Sequence, residues 1–119
     1  MKVYLAGPMR GYKLFNFPRF NKTARYLRQH GYRVVNPAEL DLANGFHPAA
    51  KVSTRSLKHF MVRDILSLVK CQAVFLLPNW RRSRGAKAEV AFAISVNLPV
   101  YETTFYGPHL GDLQRVWSI

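Results

Sequence analysis

Val3-Tyr4-Leu5-Ala6-Gly7-Pro8-Met9-Arg10-Gly11 is the stretch on which the fold turns. Lys2 to Ala6 is a short, mostly apolar run closed at once by Gly7-Pro8, the pattern of a buried strand with an abrupt stop. Asn16 can cap a following helix that carries Pro18 in its first turn. Its apolar residues Phe17, Phe20, Ala24 and Leu27 fall three or four apart, and Gly31 ends it. Tyr32 to Val35 reads as a second strand, stopped at Asn36-Pro37. From Ala38 to Val52 the pattern fades into Ala, Asn, Gly, His and Pro, a composition that predicts an irregular lid or binding loop. A second helix is expected from near Ser53 to Lys70, with Leu57, Met61, Ile65 and Leu68 on one face. Ala73 to Leu77 reads as a third strand broken by Pro78. Ser83 can cap a third helix reaching Asn97, and Val100-Tyr101 predicts a fourth strand. The residues through Leu110, Leu113 and Trp117 suit a final helix or a final strand equally.

Strands alternating with helices predict a parallel sheet with helices on both faces. The expected architecture is one flavodoxin-like or Rossmann-like three-layer α/β domain over residues 1–119, with a parallel sheet of four or five strands. Right-handed crossovers bring the strands' C-terminal ends to one edge, where ligands bind in such folds. Three segments then matter most: Gly7 to Gly11, Asn36 to Asp41, and Pro78 to Gly85. Hydrophobic residues make up 49% of the chain and charged ones 20%, which excludes a disordered chain. No apolar run approaches the roughly 18 residues of a membrane span, and Val3 to Ala6 is too short for a signal peptide core. Cys71 is the single cysteine, so no intrachain disulfide forms, and a soluble cytoplasmic protein is expected. Lys and Arg number 18 against 6 Asp and Glu, a formal +12 that predicts an anionic partner.

The loop Gly7-Pro8-Met9-Arg10-Gly11 is not G-x-G-x-x-G and lacks the Lys and Ser/Thr of a triphosphate loop. Two glycines flanking an Arg still suit an anion, because backbone N–H groups can come close and a guanidinium grips phosphate through two bonds. A plain turn with a solvated Arg fits the loop equally well. The later run Asn79-Trp80-Arg81-Arg82-Ser83-Arg84-Gly85-Ala86-Lys87 says more, because it crowds four cations onto a helix start where the macrodipole already favours acids. Such crowding is unfavourable unless an anion sits there, and a helix N-terminus with a Ser hydroxyl and a Gly can hold one. The competing view is that these arginines point into water.

Two of the six acids lie on apolar helix faces. Glu89 falls three residues after Ala86 and four before Ala93, and Asp64 shares a face with Phe60, Met61 and Leu68. A carboxylate on a buried stripe is costly unless paired or functional. Arg63 and Lys87 are the nearest salt-bridge partners, but two such acids among so few favour a paired-carboxylate site. Tyr4, on its residues alone, is a core aromatic. Phe15, Phe17, Phe46, Trp80 and His47 could stack on a nucleobase, although core packing accounts for most of them. The four His and Cys71 show no metal-ligand spacing, so neither metal nor cofactor is expected. Lys22, Arg25 and Arg28 predict a solvated helix face, with nucleic-acid contact as the alternative.

The motifs run in order through Val3 to Gly11, Val34-Val35-Asn36-Pro37-Ala38-Glu39-Leu40, Arg63-Asp64-Ile65, Phe75-Leu76-Leu77-Pro78 and Ser83-Arg84-Gly85-Ala86-Lys87-Ala88-Glu89. In that order and spacing they resemble the nucleoside 2-deoxyribosyltransferase-like superfamily, including the 2′-deoxynucleoside 5′-monophosphate N-glycosidases. The nearest likeness is to a small branch found in phage and bacterial genomes. The resemblance implies a parallel five-stranded sheet and cleavage of an N-glycosidic bond. It implies Glu89 as nucleophile at C1′, Asp64 as the carboxylate facing the leaving base, and Tyr4 as the group orienting the nucleophile. The candidate substrate contacts are Gly7, Met9, Arg10 and Gly11 in the first loop, Asn36 in the second, and Ser83 and Gly85 in the third. Deoxyribosyltransferases carry an Asp six residues before the nucleophile, where this chain has Ser83. That difference, with Arg10, makes the chain look more like a nucleotide N-hydrolase. Base exchange by a deoxyribosyltransferase, or nucleotide or nucleic-acid binding without turnover, are the alternatives. Members are usually homodimers or larger homo-oligomers in which a neighbouring subunit lends a late Ser or Asn, and Tyr101 to Ile119 offers no clear counterpart. The stretch Asn44 to Ser56 lacks one as well, and base choice is expected to depend on it.

Overall fold

The computed structural model describes residues 1–45, 57–106 and 109–117, with side chains placed for 1–45 and 58–103. Strands β1 (Lys2–Ala6), β2 (Arg33–Val35), β3 (Ala73–Leu76), β4 (Val100–Tyr106) and β5 (His109–Trp117) form one sheet. Helices α1 (Phe17–Gln29), α2 (Pro37–Ala43), α3 (Leu57–Leu68) and α4 (Arg84–Ser95) connect the first four strands. The order is β2-β1-β3-β4-β5, parallel throughout except that β5 runs antiparallel to β4. Five parallel strands are therefore not what this chain builds. Only residues 107–108 separate β4 from β5, and a return crossover needs a dozen or more.

β1 is central and buried on both faces, which explains its unbroken apolar run. Val3 and Leu5 pack with Phe17, Phe20, Ala24 and Leu27 of α1. Tyr4 and Ala6 point the other way, into the cluster of Leu68, Ala86, Val90 and Ala93 under α3 and α4. Each Phe or Leu buried this way stabilises the fold by about 1.5–3 kcal/mol.

The chain leaves β1 for β2 on one side, and β3 returns on the other. A crevice opens between them at the C-terminal edge, the usual ligand position in doubly wound sheets. A Cβ on Gly7 would sit 2.8 Å from Leu77 Cβ, so only glycine lets the two strand ends come this close.

Two local expectations change. Pro37–Ala43 is a helix and not part of an irregular loop. Asn36 Oδ1 accepts from Ala38 N at 3.0 Å, making Asn36 a cap and Pro37 a first-turn residue. Asn16, by contrast, does not cap α1 with its side chain. It lies in a left-handed run with Leu14 and Phe15 (φ 52° to 62°), and its Nδ2 donates to Pro8 O at 2.8 Å. The start of the second expected helix, between Ser53 and Ser56, lies outside the described residues. Among those described, no helix is long and apolar enough to cross a membrane.

Candidate functional site

The loop after β1, the start of α2, the middle of α3 and the first turns of α4 enclose a cavity of about 580 Å³ at this edge. That is within the roughly 300–1,000 Å³ of small-molecule sites. Gly7, Met9, Arg10, Asp64, Ser83, Gly85 and Glu89 all line it. Residues far apart in sequence, chosen for two separate loops and two helix faces, thus meet in one place. Asp41, Phe15 and Phe60 line it too.

The buried wall is acidic. Glu89 reaches it from the second turn of α4 and is only 5% exposed. In a chain with three cations for every acid, the other acids with described side chains are all ion-paired. Glu39 takes Arg28, Glu102 takes Arg81, and Arg63 joins Asp41 at 2.6 Å to Asp64. Arg63 Nε also donates to Asp64 Oδ1 at 3.0 Å. This Arg63 bridge ties α2 to α3 and is the salt bridge that the sequence raised as the plain explanation for Asp64. Glu89 forms no ion pair with a described cation, and its Oε2 is buried without a hydrogen bond. Lys87, its other sequence neighbour, is exposed.

Tyr4 lies directly beneath, with no exposed surface and its hydroxyl also lacking a hydrogen bond of ordinary geometry. The groups are nonetheless close enough to shift one another's proton equilibria. Burial, and then the Asp64 charge, push Glu89 up to about 8, against the pull of the Tyr4 hydroxyl and the Arg63 guanidinium. Burial likewise pushes Asp64 up to about 6, with Arg63 holding it from rising further. The Tyr4 phenol is driven well above its ordinary value, first by burial and then by the Glu89 and Asp64 charges. At neutral pH the pair therefore holds one proton, mostly on Glu89. Unequal environments of this kind separate acid from base in active sites.

The open side is cationic. Arg10, Arg82 and Arg84 are exposed residues lining the cavity, and no described acid pairs with any of them. Ser83 caps α4, its Oγ accepting from Ala86 N at 3.1 Å, a contact worth about 1 kcal/mol. No acid occupies the first turn of α4.

Three candidates are not on the cavity lining. Tyr4 stands behind it. Gly11 has left-handed backbone (φ 83°) and open space around it, a turn residue. Asn36 is 2% exposed, and both ends of its amide are engaged, capping α2 and donating to Asn21 Oδ1 at 2.9 Å. Its amide is thus engaged within the fold, away from the cavity lining where a substrate contact was expected. Of the aromatics, Phe15 lines the cavity, whereas Phe17 is core. Trp80 is fixed by its Nε1 donating to Glu102 Oε1 at 2.9 Å, and Phe46 and His47 lie outside the described residues. Asp41 ends a segment that the sequence singled out, yet it was not among the candidate residues, because Ala38 onward reads as irregular.

No curated protein matches the sequence. The family described as a domain of unknown function, DUF4406, matches residues 1–102, a span that includes every residue of the cavity lining. The chain belongs to that family.

Proposed function

We propose that the protein hydrolyses the N-glycosidic bond of a (deoxy)nucleoside 5′-monophosphate. The observation that carries this is Glu89, a buried carboxylate without a cation, sharing a cavity with Asp64 beneath a cationic mouth. Arg10, Ser83, Gly85 and the Gly7 and Met9 backbone would hold the phosphate, where a helix N-terminus and a guanidinium act together. The Glu89 carboxylate attacks C1′, the C1′–N bond breaks, and its electron pair leaves with the base, which takes a proton from Asp64. Water then attacks the glycosyl ester, giving its proton back to Asp64 and freeing Glu89 with the sugar phosphate. A carboxylate suits the oxocarbenium-like transition state, and a covalent ester splits one hard step into two. Tyr4, whose hydroxyl stands close enough to pull on the Glu89 proton equilibrium, would orient the nucleophile.

This chemistry needs the proton on Asp64 and the charge on Glu89, the reverse of the resting preference. Because Glu89 is raised further than Asp64, the reactive arrangement is the minor form of the singly protonated pair. A ligand that gathers positive charge at C1′ beside Glu89 favours it.

The test is chromatographic base release from deoxy- and ribonucleoside 5′-monophosphates and the matching nucleosides, with Glu89→Gln as control. Release from a monophosphate that vanishes in the variant is expected. Turnover by Glu89→Gln at the native rate would overturn the mechanism. A free acceptor base in the same mixture separates the classes, since a transferase makes a new nucleoside and a hydrolase only free sugar phosphate.

A further inference from the structure

Arg10 and the N-terminus of α4, capped by Ser83, already match the charge of one phosphate. Two more guanidinium groups stand at the same mouth. Arg82 immediately precedes the cap and Arg84 immediately follows it, both exposed, both lining the cavity and neither paired with a described acid. Their neighbour Arg81 shows the contrast. It is tied to Glu102 at 2.8 Å and stacked over the Trp80 ring at 4.6 Å, and it does not line the cavity. Among the described residues, the arginine that lies off the cavity is neutralised and its two cavity-lining neighbours carry no acid partner. Like charges gathered at one mouth repel, and an anion larger than a single phosphate relieves that repulsion. Independently, the buried and unpartnered Oε2 of Glu89 on the same lining points to a ligand within.

We propose that the substrate's anionic part extends beyond one phosphate, so that the site takes a nucleoside 5′-di- or triphosphate, with Arg82 and Arg84 holding the phosphates beyond the first. This rests on the proposed glycosidase reaction and replaces the monophosphate with a longer phosphate chain on its substrate. The guanidinium pair recognises terminal phosphate oxygens by paired, charge-assisted hydrogen bonds, and the base end of the ligand points toward Asp64 and Glu89.

Full-length protein carrying Glu89→Gln is titrated calorimetrically with inorganic phosphate, pyrophosphate and tripolyphosphate, without divalent cations. Tripolyphosphate is expected to bind at least about tenfold more tightly than phosphate. Adding Arg82→Ala and Arg84→Ala together should bring that ratio close to one. Lys70→Ala, a charge loss just before β3 at the opposite edge of the sheet, should leave the ratio as it was. Both substituted arginines are exposed, and unchanged thermal melting verifies the fold. Equal affinity for phosphate and tripolyphosphate, or a ratio that the double substitution leaves intact, would overturn the inference. Base release from mono-, di- and triphosphates of the four deoxynucleosides by the native protein separates the two levels. Release without any polyphosphate preference removes this inference and leaves the glycosidase; preference without release does the opposite.

Discussion

Glu89→Gln is expected to end base release and, in the same protein, to strengthen the fold at alkaline pH. Gln keeps the shape and the hydrogen-bonding capacity of the side chain but cannot ionise. The native carboxyl sits at about 8 in the fold against an ordinary 4.5. The folded state therefore binds this proton more tightly than the unfolded chain does. Its stabilising contribution is complete below about 4.5 and is lost progressively as pH rises to about 8. At 1.36 kcal/mol for each tenfold change, the loss amounts to about 5 kcal/mol in a dry site. Water reaching the carboxylate through the open cavity offsets part of it, leaving about 3 kcal/mol. Asp64, raised by burial to about 6, loses stability over a lower range in both proteins, so the difference between them isolates Glu89. The assay is urea unfolding of both proteins, followed by tryptophan fluorescence, at several values from about pH 4.5 to 8.5. The two midpoints should nearly coincide at the acid end, and the Glu89→Gln protein should pull ahead by about 3 kcal/mol at the alkaline end. Parallel pH dependences would refute a buried, cation-free carboxylate at this position.

The rate of base release should rise through about 6 and fall through about 8, because only the singly protonated pair offers one acid and one base, and a flat pH profile would remove the pair from the chemistry. Gly7→Ala forces a Cβ to within 2.8 Å of Leu77 Cβ and should cost about 1–3 kcal/mol in chemical denaturation by splaying β1 from the end of β3. Arg63→Met leaves Asp41 and Asp64 without their shared cation and should cost about 3–5 kcal/mol at neutral pH. Part of that stability should return near pH 5, where the stranded carboxyls take up protons, and an equal loss at both pH values would argue against the bridge.

Much of this was legible because single residues carry unambiguous physics. Gly7-Pro8 stops β1, Ser83 caps α4, and the spacing of Glu89 from Ala86 and Ala93 places an acid against the core. Other residues carry two meanings. Asn36-Pro37 ends a strand and equally well starts a helix, and reading only the stop concealed α2 and, with it, Asp41. Asn16 looks like a cap by type, yet its left-handed backbone turns the amide to Pro8 O. The bridge from Arg63 to Asp41 joins residues with no periodicity in common, so sequence offered Arg63 only as a neighbour of Asp64. The direction of β5 lay in the two residues before it, too few for a crossover, rather than in β5 itself.

The segment bearing the mouth arginines is fastened at both ends. Trp80 and Arg81 are bound to Glu102, and Thr103 Oγ1 donates to Leu76 O at 2.7 Å, so the exit of β3 is bolted to β4. Two residues later Ser83 locks the entry into α4. Arg82 thus spans two fixed points, a short clamped beam whose backbone has little freedom left to lose. An incoming anion orders mainly the guanidinium side chains and not the chain that carries them, which lowers the entropic cost of capture and favours quick, reversible loading over slow induced closure.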